Sequence, residues 1–123
     1  MLFFMYNYKK LRFYERAEIL SDVVHGLTKK FPKFEIYELG GQMRRAVDSI
    51  VFNIAEGGGK ESVRDMVSYL RHALGSVNEV ESQIKRIVSL GYIEEAEGLR
   101  IADEVGEIGK MINGFIRKLR EGD

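Results

Sequence analysis

Between Val63 and Ile87 the apolar residues Val63, Met66, Leu70, Ala73, Val77, Val80, Ile84 and Ile87 recur at strictly alternating steps of three and four. Only a helix gathers such positions onto one stripe, because about 3.6 residues per turn make i, i+3, i+4 and i+7 neighbours on a single face. The spacing predicts one helix over residues 62–89, about 42 Å long at 1.5 Å per residue. A stripe of that reach must be covered from end to end, so the rest of the chain has to supply helices of similar length. Ser62 stands at its start with Asp65 three residues on, the spacing of a capping box.

The remaining segments meet that demand. Phe13, Ala17, Leu20, Val24 and Leu27 predict a first helix over about 12–30, which Pro32 stops because proline pushes its predecessor out of the α region and donates no hydrogen bond. Leu39, Met43, Ala46, Val47, Ile50 and Ile54 predict a second over about 37–56, ended by Gly57-Gly58-Gly59. A fourth, over about 94–120, has Glu94, Glu95 and Glu97 in its first turns and Arg117, Lys118 and Arg120 in its last, matching the helix dipole. Leu90-Gly91-Tyr92 is too short a link for anything but antiparallel neighbours, with Gly91 in the left-handed region. Gly98, Gly106, Gly109 and Gly114 require tight helix contact or a bend, and Gly75-Ser76 against Ala46 and Ser49 another close approach. With no alternating strand pattern, the expected fold is all-α, an antiparallel up-down four-helix bundle over 12–120 preceded by an extension, residues 1–11.

Several function classes drop out on composition. The chain has no cysteine, so disulfide frameworks and thiolate chemistry are excluded. The apolar opening Met1-Leu2-Phe3-Phe4-Met5-Tyr6 lacks the basic region and cleavage site of a signal peptide, and every later apolar run is broken by charge, so a soluble cytoplasmic protein that avoids the membrane is expected. Nineteen Lys and Arg balance nineteen Asp and Glu. Without a long-range field, any affinity for nucleic acid must come from a local patch.

Catalytic patterns are missing too. His25 and His72 fall on different helices, and the only carboxylate at helical spacing from either is Asp22 before His25. No Glu-x-x-His pair exists for a bundle di-metal site. Gly57-Gly58-Gly59-Lys60-Glu61-Ser62 fails as a phosphate loop: Ile54 and Glu61 stand where that motif needs Gly and Ser or Thr, and a helix precedes it. No enzyme, cofactor or metal is expected. Gln42, Ser49, Asn53 and Ser76 lie near apolar stripes and read as register-fixing polar groups.

The candidate nucleic-acid contacts are Arg44, Arg45, Lys60, Arg64 and Arg71. Lys60 and Arg64 flank the amino end of the third helix, where unpaired N–H groups favour anions; Arg64 and Arg71 share a face two turns apart; Arg44 and Arg45 come from the adjoining helix. The bland alternative is a solvated or subunit-contact face, with Arg44 and Arg45 pairing with Asp48.

Two segments carry a resemblance. The first is Tyr8-Lys9-Lys10-Leu11-Arg12-Phe13-Tyr14-Glu15-Arg16-Ala17. The second and more specific runs Phe31-Pro32-Lys33-Phe34-Glu35-Ile36-Tyr37-Glu38-Leu39, Gln42-Met43-Arg44-Arg45-Ala46, Ser49-Ile50, Asn53-Ile54-Ala55-Glu56-Gly57 and Gly59-Lys60. With Ala73-Leu74-Gly75-Ser76-Val77-Asn78-Glu79 and Leu90-Gly91-Tyr92-Ile93, the chain resembles the four-helix-bundle proteins encoded by intervening sequences of bacterial 23S ribosomal RNA genes. Tyr14 replaces a common tryptophan and Gly40-Gly41 departs from the usual start of the second helix. The resemblance implies an up-down bundle assembled as a homopentamer, with no established enzymatic activity and an ill-defined biological role; a related branch serves as accessory protein of diversity-generating retroelements, engaging reverse transcriptase and nucleic acid.

Two functions are therefore expected of the chain. One is a pentameric scaffold that binds RNA or DNA, structured RNA above all, through the basic patch. The alternative is a protein-interaction adapter, for a reverse transcriptase or another partner, using exposed Phe3, Phe4, Tyr6 and Phe52.

Overall fold

The computed structural model describes residues 7–122, so Phe3, Phe4 and Tyr6, expected to serve an adapter surface, lie outside the described residues. Four helices, α1 (Arg12–Thr28), α2 (Leu39–Gly58), α3 (Val63–Ser89) and α4 (Glu95–Glu121), form an antiparallel up-down bundle, with short 3₁₀ turns at Tyr8–Lys10 and Lys33–Glu35 and no strand among the described residues. The α2–α3 interface is the most extensive and α1–α4 the least.

Each stripe read from the sequence lies in the core. Leu20, Met43, Ile50, Ile54, Met66, Leu70, Ile84, Ile87, Ile108 and Ile112 are the largest wholly enclosed side chains. Each such Leu or Ile contributes about 1.5–3 kcal/mol relative to exposure. The core also reaches back beyond α1: Leu11 is buried and Tyr8 packs against it, edge-on to Tyr14 at 4.9 Å.

The boundaries of α2 differ from the expected ones, for reasons in its glycines. It starts at Leu39 rather than Tyr37, and Gly40 in its first turn is buried where a Cβ would meet the Glu35 carbonyl oxygen and Thr28 Cβ at 3.2 and 3.3 Å. The α1–α2 connector can therefore lie directly on the helix. At the other end α2 continues through Gly58, because Gly57 is a contact residue and not a stop: a Cβ there would stand 3.2 Å from the Met66 carbonyl oxygen.

α3 begins as its sequence demands, Ser62 Oγ accepting a hydrogen bond from Asp65 N–H at 3.1 Å. It ends in a Schellman motif in which Tyr92 N–H reaches Ile87 O, Gly91 N–H reaches Val88 O, and Gly91 takes φ +77°. The turn is tied to the α1–α2 connector: the Tyr92 hydroxyl donates to Glu35 Oε2 at 2.9 Å and its ring packs on Phe31. In α4, two of the four glycines make the close contacts expected. A Cβ on Gly98 would overlap Val88 Cγ2 and one on Gly109 would lie 3.3 Å from Val77 Cγ1, whereas Gly106 and Gly114, like Gly75 in α3, have nothing within 4 Å.

Candidate nucleic-acid interface

The five candidate cations occupy three separate places. Arg44 is half-buried at the α1–α2 connection; its guanidinium donates to Thr28 Oγ1 at 2.8 Å and to the Ile36 carbonyl at 3.1 Å, while Thr28 Oγ1 donates to His25 O. It clamps the end of α1 and the connector to α2. About 21 Å of helix separates it from Gly58, next to the Lys60 loop.

Arg45 is exposed on the outer face of α2, beside a shallow groove of about 420 Å³ lined also by Asp48, Ser49, Phe52, Asn53 and Glu56. Asp48 pairs with neither arginine. It accepts hydrogen bonds from Ser21 Oγ at 2.6 Å and from His25 Nε2 at 3.0 Å. The carboxylate sits between hydroxyl and imidazole, so the serine makes no hydrogen bond to the imidazole and the trio is not ordered as a serine–histidine–aspartate relay. Spacing within α1 missed this partner of His25, because it comes from α2.

The polar residues on the neighbouring stripe fix the α2–α3 register. Asn53 Nδ2 donates to Ser49 O and Oγ, and Ser76 Oγ donates to Ser49 Oγ at 2.8 Å. Gln42, by contrast, is exposed; the buried amide is Gln83, whose Oε1 has no hydrogen-bond partner among the described residues.

Lys60 is held by its own surroundings: Nζ lies 3.4 Å from Glu56 Oε2 and 4.8 Å from the Tyr69 ring centroid. Arg64 and Arg71 instead line a groove of about 530 Å³ between the start of α3 and the end of α4, with Val63, Val67, Ser68 and Arg120. Neither they nor Arg120 have an ion-pair partner among the described residues, and no carboxylate lines the groove.

Sequence reasoning missed Arg120 because the helix dipole already explained its charge. The signal lay in the register: Gly98 meets Val88 and Gly109 meets Val77, so each step along α4 is one step back along α3. Carried to the end of α4, that register sets Arg120 opposite Met66 and Val67, between Arg64 and Arg71.

Arg16 on α1 donates to both carboxylate oxygens of Glu104 on α4, at 2.9 and 2.6 Å, and lies 3.2 Å from Met111 Sδ. These bonds hold the Glu104 carboxyl below its ordinary range, against a smaller opposing effect of burial. A groove of about 280 Å³ beside this pair exposes Ile19, Val23 and, nearby on α4, Leu99. Among the described residues no group of three or more His, Cys, Asp or Glu is placed to hold a metal ion, and no helix is long and apolar enough to cross a membrane.

A crystal structure of a protein of unknown function from the S23 ribosomal protein family of Bacteroides thetaiotaomicron is similar to this chain, with a TM-score of 0.79 at 23% identity over 85% of this chain and 95% of that one. That likeness shows the bundle fold. No curated protein matches. Residues 9–114, from the first 3₁₀ turn to the last turns of α4, match the family described as 23S rRNA-intervening sequence protein, and the chain belongs to that family.

Proposed function

We propose that the chain is a non-catalytic homopentameric scaffold that binds nucleic acid, structured RNA above all, through a basic groove repeated once per protomer. The observation that carries the reading is that Arg64, Arg71 and Arg120 line one groove and none of them has an ion-pair partner among the described residues. Lys60 stands at the edge of this region, partly offset by Glu56; Arg45 lies on the next face and Arg44 serves the bundle itself. Self-association is supported by apolar surface that the single chain leaves uncovered: Phe52 is 64% exposed, Leu99 61% and Ile19 55%. Repeating a weak site around a ring raises its effective affinity without any new contact.

Light scattering of the purified protein with and without a structured RNA, across a salt series, tests this reading. A pentamer that takes up RNA at low salt and releases it at high salt is expected. Charge reversal at Arg64 and Arg71 should abolish uptake without changing the mass of the assembly. Unchanged RNA binding and salt dependence in that variant would refute the groove.

The same exposed residues, with Phe34 and Tyr37 on the α1–α2 connector at 73% and 82%, favour a second reading, an adapter for a protein partner such as a reverse transcriptase. A pentamer indifferent to RNA at every salt concentration is the outcome that reading requires.

A further inference from the structure

We infer that the α3–α4 groove recognises the terminal 5′-phosphate of an RNA strand rather than its internal backbone, an inference that rests on the nucleic-acid reading above. The first ground is where the cations stand. Arg64 and Arg71 are about 10.5 Å apart along α3, and Arg120 lines the same groove from α4 at a level between them, so the three cations are grouped at one end of the bundle. A protein that follows a phosphodiester backbone needs cations spaced along it. Here the neighbouring Lys60 is engaged by Glu56 and Tyr69, and Arg44 is committed to Thr28 and Ile36 at the α1–α2 connection.

The second ground is charge. An internal phosphodiester carries one negative charge and two free oxygens, whereas a phosphomonoester carries nearly two charges and three strong acceptors at neutral pH. Three guanidiniums, each able to donate in pairs and none ion-paired among the described residues, match the second far better. The Ser68 hydroxyl lines the same groove and adds a neutral donor. The third ground is the floor. Val63 and Val67 form an apolar surface, and a volume of about 530 Å³ leaves room beside the phosphate for the first nucleoside to lie against them. By contrast, the groove on α2 sets Asp48 and Glu56 beside Arg45, and that between α1 and α4 sets Glu97 and Glu104 beside Arg100, so each mixes both signs of charge.

The test uses the full chain and one short single-stranded RNA prepared with a 5′-phosphate and with a 5′-hydroxyl, compared by fluorescence anisotropy at fixed salt. The phosphorylated strand is expected to bind about tenfold more tightly, the scale of one charge-assisted paired contact. Arg120→Gln should weaken both strands, the phosphorylated one by about tenfold more, so that the preference disappears, and Arg71→Gln should do the same if the first variant fails to fold. Equal binding of the two strands overturns the inference while the nucleic-acid reading stands, and no binding of either strand overturns both. A nucleoside 5′-monophosphate that binds as tightly as the phosphorylated strand overturns the strand-end assignment in favour of a mononucleotide site.

Discussion

Gly98→Ala tests the register on which the groove depends. In an exposed helix interior, alanine for glycine stabilises by about 1 kcal/mol through backbone entropy. At 98 the new Cβ would overlap Val88 Cγ2, and overpacking of this kind costs about 1–3 kcal/mol, so a net loss of about 1 kcal/mol is expected. Gly106→Ala is the control, since nothing lies within 4 Å of its would-be Cβ; it should gain the full ~1 kcal/mol. For a chain of this length those changes move Tm by about 4 °C in opposite directions. Adding Val88→Ala removes the obstacle, so Gly98→Ala in that background should become stabilising, with a coupling of about 2 kcal/mol in a double-mutant cycle. Thermal and urea unfolding of the four variants measure it. If Gly98→Ala stabilises as much as Gly106→Ala in the wild-type background, α3 and α4 do not meet as described, and the position of Arg120 between Arg64 and Arg71 falls with them.

Other consequences separate structural arginines from binding ones. Arg44→Ala leaves the Ile36 carbonyl and the Thr28 hydroxyl without their donor and should cost about 1–3 kcal/mol in urea unfolding. RNA affinity per folded protomer should stay unchanged, whereas Arg71→Ala should show the reverse pattern. For Glu104, the folded-state pKa lies below the unfolded one, so its stabilisation is present above the unfolded carboxylate pKa and is lost as pH falls through the folded value. Glu104→Gln should therefore destabilise at neutral pH, by no more than about 1 kcal/mol because both partners are 36% exposed, and flatten the acid limb of the stability curve measured between pH 2 and 7. Replacing Arg64, Arg71 and Arg120 together by Gln should lower the steepness of the logarithmic salt dependence of RNA binding by about 0.7–0.9 for each phosphate no longer neutralised.

What was legible in the sequence followed from periodicity. The Val63–Ile87 stripe is enclosed except for the half-buried Val63, and the Ser62 hydroxyl and the left-handed backbone of Gly91 bound α3. The glycines were harder to read. A glycine run outside a helix and one at a helix contact look alike in one dimension, so Gly57 read as a stop although it faces Met66 and Tyr69. The site was less legible for the same reason. Arg44 and Arg45 are adjacent in sequence but about 100° apart around α2, which sends one guanidinium to Thr28 and leaves the other in solvent. Arg120 joins Arg64 and Arg71 only through the α3–α4 register, a relation between segments that no local pattern contains.

A chain with nineteen basic and nineteen acidic residues gains little from long-range attraction to a polyanion, and its binding must be argued from what remains unpaired. Among the described residues Glu104 holds Arg16, Asp48 holds His25 and Glu56 approaches Lys60, while no carboxylate lines the groove between α3 and α4. Leaving Arg64, Arg71 and Arg120 on one groove, the first two about 10.5 Å apart along α3, costs a modest Coulomb repulsion, since that separation is about one Debye length. An anion seated among them relieves that repulsion. The protein should therefore gain thermal stability when inorganic phosphate is raised at constant ionic strength, and the gain should vanish in the variant lacking all three arginines. Equal stabilisation of both proteins would mean that phosphate acts through general exclusion from the surface, and that the three arginines do not form an anion site.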